Sequence, residues 1–241
     1  MINVYDVLAE QKEMKLKGNL YYITQINFAY NTNHIEGSAL TEEQTRYIYE
    51  TNTLITEDSN SATRIDDIIE TLNHFKLFDY MLDCVKEELT EIMIKDFHKI
   101  LKAGTSDERK SWFNVGEYKA LANEVGGNFT SKPEHVAKEI KRLLEWYNSL
   151  KNVRVEDIIR FHSEFEKIHP FQDGNGRVGR IIMFKECLKN DIVPFIILDK
   201  DKMFYYRGLR EYQNGGEKGY LIDTCLNAQD QYKKIIKKCI G

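Results

Sequence analysis

His169-Pro170-Phe171-Gln172-Asp173-Gly174-Asn175-Gly176-Arg177-Val178-Gly179-Arg180 is the stretch on which the reading of this chain turns, and it joins two segments of helical period. Before it, Val155 to Ile168 places Ile158, Phe161, Phe165 and Ile168 on one face; after it, Val178, Ile181, Ile182, Lys185 and Leu188 resume the same spacing. Pro170 lacks an N–H and disfavours helix at the residue before it, so the first helix should end at His169 with its imidazole exposed. The glycines of Asp173 to Gly176 permit a tight turn and let backbone N–H groups approach a ligand closely. That turn feeds the N-terminus of the second helix, whose free N–H groups and dipole favour phosphate. Arg177 and Arg180, three apart on the first turn, are expected to share one polyphosphate between two guanidinium forks. Each fragment alone has a bland reading as turn, cap or core residue, but no structural need holds His, Asp, Asn and two Arg at these spacings.

The rest of the chain reads as mainly helical. Thr41-Glu42-Glu43-Gln44 forms a capping box, Thr51 to Ser61 is a polar connection, and Ile65, Ile68, Ile69, Leu72 and Phe75 carry the stripe of a longer helix. Thr90 caps a helix bearing Met93, Ile94, Phe97, Ile100 and Leu101, with Gly104 as its stop. Ser131-Lys132-Pro133-Glu134 reads as a second capping box, ahead of Val136, Ile140, Leu143, Leu144 and Tyr147. Two helices over 200–241 follow, separated by Gly215-Gly216 and Gly219. The exception is Trp112 to Thr130, where Gly116, Gly126, Gly127 and short alternating stretches predict a small hairpin.

At 241 residues with 42% hydrophobic, the chain can bury one full core, so a single domain over 1–241 is expected. A formal charge of -4 argues against nucleic acid or an anionic membrane as partner. Lys233, Lys234, Lys237 and Lys238 suit the solvated end of a last helix. Cys84, Cys187, Cys225 and Cys239 have neither zinc spacing nor a dense disulfide pattern, so reduced thiols are expected. With no basic leader followed by an apolar run, and no stretch of about eighteen apolar residues, the expected address is cytoplasmic.

The string His-Pro-Phe-x-Asp-Gly-Asn-Gly-Arg-x-x-Arg over 169–180 resembles the signature of the Fic family, enzymes that move the AMP moiety of ATP onto protein hydroxyls. The likeness runs from Thr32 to Tyr206 and implies a Fic-fold helical bundle with a β-hairpin flap near 112–130 that docks the protein target, self-modification included. It implies His169 as the base that takes a proton from a Ser, Thr or Tyr hydroxyl, since imidazole titrates near neutral pH. Asp173 would hold Mg²⁺, a hard cation on a hard oxygen ligand, between α- and β-phosphates. Gly174, Asn175 and Gly176 would cradle those phosphates, the Asn175 amide adding a donor, while Arg177 and Arg180 neutralise the leaving pyrophosphate. Phe171 would anchor the loop in the core. Tyr205 and Tyr206 would lie near the nucleobase, with a core aromatic pair as the competing reading.

Upstream, Thr32-Asn33-His34-Ile35-Glu36-Gly37 resembles the family's Ser/Thr-x-x-x-Glu-Gly/Asn motif, which marks an inhibitory helix, here near 25–37. By that likeness Glu36 reaches Arg180 and withdraws it from the γ-phosphate. Three other functions stay in competition: hydrolytic removal of AMP in the same site, phosphate transfer of the Doc type, which carries lysine where this chain has Gly176, and a non-catalytic nucleotide-binding regulator. A zinc site on His162 and His169 is remote, because their seven-residue spacing lacks the one-turn separation and a third ligand.

Overall fold

The computed structural model describes residues 3–55 and 63–240, and ten α-helices lie among the described residues. The N-terminal layer holds α1 (Val4–Met14), α2 (Leu20–Ile35) and α3 (Glu42–Thr51). Asn19 starts α2 by accepting a hydrogen bond from the Tyr22 amide, and Thr41 with Gln44 forms a complete capping box on α3. Of the polar connection expected over 51–61, Thr51 closes α3, and residues 56–62 lie outside the described residues.

Next come α4 (Ile65–Asp83) and α5 (Glu91–Lys102), the latter capped by Thr90 and followed by Gly104 at φ 74°. A two-stranded antiparallel ribbon, β1 (Glu124–Val125) and β2 (Asn128–Phe129), precedes α6 (Pro133–Asn148), α7 (Val155–Ile168), α8 (Asn175–Lys189), α9 (Lys202–Gln213) and α10 (Gly219–Ile240).

The centre of the molecule is α8. Every residue from Arg177 to Leu188 is buried, and α8 packs against α7, α5, α4 and α2. Burial on all sides explains why Val178, Ile181, Ile182, Met183 and Phe184 surround its axis instead of forming one stripe. Polar residues caught in this position need partners. Lys185 donates to the Glu87 carbonyl at 2.7 Å and to Glu186 at 2.8 Å, and the Tyr147 hydroxyl reaches the other Glu186 oxygen.

Three local expectations are corrected. Position 131 is not the cap of α6: Pro133 takes the first helical position, which its fixed φ suits, and the Ser131 hydroxyl turns to Glu139. The hairpin is far shorter than Trp112 to Thr130, with two residues per strand across Gly126 and Gly127, both at positive φ. The backbone from 116 to 121 is spent elsewhere: Gly116 N–H donates to His98 Nδ1, Lys119 N–H to the Pro170 carbonyl and Leu121 N–H to Gln172. Gly219 does not separate the last helices but opens α10, the break falling at Gly215 with φ 75°.

Candidate active site

His169 caps the C-terminus of α7 in the left-handed region, at φ 53°, and its amide closes the last turn on the Phe165 carbonyl. Its side chain is only 15% exposed, against the exposure expected from the sequence. The cause is Lys119, whose N–H holds the Pro170 carbonyl at 2.9 Å and whose ammonium reaches the Ile168 carbonyl at 3.3 Å, drawing the pre-hairpin segment over the loop. Burial first, and then the Lys119 charge, bring the imidazole down to about 4, so it stands unprotonated at neutral pH.

Phe171 is fully buried and stacks on His98, the ring centroids 4.0 Å apart and the planes 1° from parallel. The His98 tautomer follows from its partners. Nδ1 accepts from Gly116 N–H at 2.9 Å, so Nε2 carries the hydrogen and donates to the Asp173 carbonyl at 3.1 Å. Gly174, at φ 82°, then turns the chain into α8, whose first amides border the cavity. The Asn175 side chain does not face that cavity as a donor. Its Oδ1 accepts from the Phe171 amide at 2.8 Å and its Nδ2 donates to the Phe171 carbonyl at 2.9 Å, so both ends brace the loop.

Asp173 is half exposed, and its Oδ2 accepts from Lys102 at 2.7 Å and from Arg177 at 3.2 Å. Burial works against the charge, but Arg177 and Lys102 outweigh it and hold the carboxyl well below the usual carboxylate range. An ionised hard oxygen on the cavity wall, with Oδ1 free of side-chain partners among the described residues, suits a hard divalent cation. Arg177 does not share a polyphosphate fork with Arg180. It is buried, engages Glu70 and Asp173, and contributes no part of the cavity wall.

Arg180 points the other way. Its Nε donates to Thr32 Oγ1 at 2.7 Å, and its Nη2 to the Thr32 carbonyl at 3.1 Å and to Glu36 Oε1 at 2.6 Å. Glu36 caps the C-terminus of α2, followed by Gly37 at φ 90°. Gly176 makes this approach possible, since a Cβ there would overlap the Glu36 carboxylate. Tyr205 is buried and hydrogen-bonded to His162 at 2.6 Å, whereas Tyr206 is 42% exposed at the cavity and donates to the Ile35 carbonyl at 2.9 Å. His162, fully buried beneath Gly179 and spent on Tyr205, has no line to a shared metal with His169.

These groups converge on one cavity of about 690 Å³, walled by Glu36, His169, Asp173 to Gly176, Arg180, Tyr205 and Tyr206, with the ribbon residues Glu124, Val125 and Phe129 at its edge. Phe129 is 83% exposed there. Five contributors escaped the sequence reading: Glu70, His98, Lys102, Lys119 and Glu166. The signal for three of them was present, because Ile94, His98 and Lys102 share one register on α5, and Glu70 precedes His74 and Phe78 on α4. Charged groups in a buried register are rare unless paired. Glu166, against Arg180 and His169, is pushed up to about 8, by burial first and then by the Glu36 charge.

Residues 88–187 match the Fic/DOC family. The chain is 26% identical over 195 residues to a protein adenylyltransferase of Caenorhabditis elegans, covering 77% of this chain and 36% of that one. It is 35% identical over 109 residues to a probable protein adenylyltransferase of Aquifex aeolicus, covering 43% and 33%. It therefore spans only about a third of the length of these relatives. Among solved structures, a Fic-domain signalling protein of Bacteroides thetaiotaomicron superposes with a TM-score of 0.75 at 20% identity, over 99% of this chain and 96% of that one. A Fic family protein of Desulfovibrio desulfuricans gives 0.74 at 22% identity, over 97% and 70%. Residues 88–187 are thus similar to the Fic/DOC family, set within a helical fold like that of solved Fic proteins.

Proposed function

We propose that this protein transfers AMP from ATP to a Ser, Thr or Tyr hydroxyl of a protein, and that Glu36 restrains the reaction by occupying Arg180. The observation that carries the reading is the convergence on one cavity of an unprotonated imidazole, an ionised carboxylate and a helix N-terminus. His169 accepts the proton of the attacking hydroxyl. The amides opening α8 receive the α- and β-phosphates, the Gly174 turn giving them room for close approach. Asp173 would hold Mg²⁺, which when bound neutralises phosphate charge. Arg180, once released, faces the γ-phosphate, and Arg177 acts at one remove by holding Asp173 in place. Tyr206 lies on the wall available to the nucleobase.

The ribbon at 124–129 offers exposed Val125 and Phe129 and a free strand edge to an extended segment of target protein, or of a second copy in self-modification. The Doc-type likeness carries lysine where this chain has Gly176, which favours AMP transfer, and Gly176 also leaves room for Glu36, which a side chain there would strike. Keeping His169 unprotonated serves a base and gives nothing to a merely nucleotide-binding regulator. Four free cysteines suit the reducing cytoplasm, the address we propose.

The test uses ATP labelled in turn at the α- and γ-phosphates, with Mg²⁺, on the wild type and His169→Ala. Covalent α-label that His169→Ala reduces by about 10² to 10⁴ is the expected result. Dominant γ-label on protein would overturn the reading, and release of AMP from pre-labelled protein by the wild type alone would replace it with the hydrolase.

A further inference from the structure

Beneath Asp173 lies a charged cluster that the reaction does not use directly. The carboxylates of Glu70, Asp107 and Asp173 each offer an oxygen, and the three oxygens lie within 4.8 Å of one another. That is a spacing at which a divalent ion gathers oxygen ligands. Yet the centre of the trio is taken by the Lys102 ammonium, 2% exposed, at 2.6 Å from Glu70, 2.5 Å from Asp107 and 2.7 Å from Asp173. Lys102 ends α5, Glu70 belongs to α4, Asp107 to the short turn Ser106–Arg109 and Asp173 to the loop before α8, so four segments meet on one nitrogen. The Lys102 nitrogen donates hydrogen bonds to Glu70 and Asp173 and forms an ion pair with Asp107, so each carboxylate of the trio has the ammonium as a partner. Arg177 engages Glu70 and Asp173 from the other side, and Lys110 reaches Asp107 from the surface.

We propose that Lys102 is an internal cation filling the position among Glu70, Asp107 and Asp173 where a divalent ion would otherwise lodge, so that a metal is confined to the outward oxygen of Asp173. The proposal rests on Asp173 as the metal-holding carboxylate. Three carboxylates here face three cations, so the cluster has no surplus negative charge with which to retain a free divalent ion. A single remaining oxygen is a weak site by itself, and a hard cation that keeps its waters binds there only together with nucleotide phosphates. Lys102 is in this sense a positioning residue: it aims Asp173 and makes metal binding depend on the nucleotide. Replacing the ammonium by an isosteric apolar chain removes one cation and bares two oxygens that the wild type keeps covered.

The experiment titrates Mn²⁺ into the full chain without nucleotide, following free Mn²⁺ by electron paramagnetic resonance, for the wild type and Lys102→Met. Lys102→Met is expected to bind Mn²⁺ at least tenfold more tightly than the wild type, and Mn²⁺ is expected to raise its unfolding temperature while leaving that of the wild type within a degree. Should Lys102→Met fold only when Mn²⁺ is present, the ion has replaced the ammonium and the proposal stands. A second variant, Lys102→Met with Asp107→Asn, carries one fewer bare carboxylate and should keep less of the gain. A folded Lys102→Met that binds Mn²⁺ no better than the wild type, or one that stays unfolded with and without Mn²⁺, overturns the proposal. Neither readout involves nucleotide or transfer, so failure of the AMP-transfer reading would show in the labelling assay and not here.

Discussion

Glu36→Gly is the perturbation with the largest expected effect. Arg180 is 2% exposed and held by Thr32 Oγ1, the Thr32 carbonyl and Glu36, of which only the 2.6 Å bond to Glu36 joins two charges. A hydrogen bond to a charged partner contributes about 1.5 to 3 kcal/mol net. Removing that competitor should raise AMP transfer, self-modification included, by roughly 10- to 150-fold, since each 1.4 kcal/mol is tenfold. Thr32 still holds Nε in the variant, so the guanidinium stays in place for the γ-phosphate. The same loss leaves a buried guanidinium without its counter-charge, so Glu36→Gly should unfold at a lower temperature than the wild type, with Mg²⁺ and ATP restoring part of the difference. The assay is incorporation of α-label from ATP alongside a thermal melt. Arg180→Ala should stay inactive, and Glu36→Gly with Arg180→Ala should match Arg180→Ala, marking a specific pair and not a general loosening of α2. An unchanged rate in Glu36→Gly, with His169 and Arg180 both essential, would refute the restraint and leave the enzyme standing.

Four further outcomes are expected. The His169 imidazole lies at about 4, below its usual 6.5, so protonation sets in only as pH falls well past the usual value; transfer by Glu36→Gly should lose less than about twofold between pH 7.5 and 5.5, where an unperturbed histidine would lose about tenfold. Lys119→Met, which removes the second cause of that shift, should move the acid limb toward higher pH, and a limb already near 6.5 in the parent would contradict the burial argument. Asp173→Asn removes the ionised oxygen while keeping volume, so the Mg²⁺ concentration for half-maximal labelling should rise; an unaltered Mg²⁺ dependence would move the metal elsewhere. Gly179→Ala would set a methyl group about 2.6 Å from the buried His162 ring, so a loss of roughly 1 to 3 kcal/mol in chemical denaturation is expected, and a neutral result would show that α7 and α8 can part freely.

What the sequence determined by itself is local. The bounds of α7, the cap of α5 at Thr90 and the capping box of α3 follow from side chains acting on backbone within one helical turn, and each stands where its residues placed it. The arrest at Pro170 and the turn at Gly174 are of the same kind, and they set the base, the acid and the helix N-terminus in one continuous stretch. The pairing of Glu36 with Arg180, 144 residues apart, was legible only through family likeness, since nothing local in either segment points to the other.

Tertiary structure alone decided how the polar groups are spent. Asn175 and Arg177 have the chemistry to hold phosphate, but burial obliges each to satisfy the nearest unpaired group, and those are Phe171 and Glu70, the latter 107 residues away in sequence. Lys119 looks like a surface lysine until the fold closes neutral carbonyl and side-chain oxygens around it, and Lys102, although its register on α5 is a buried one, meets its carboxylates only through the fold. The reason is physical: helix period and turn chemistry are short-range, whereas the partner of a buried charge is whatever the packing brings within 3 Å, a distance that the order of residues along a chain does not encode.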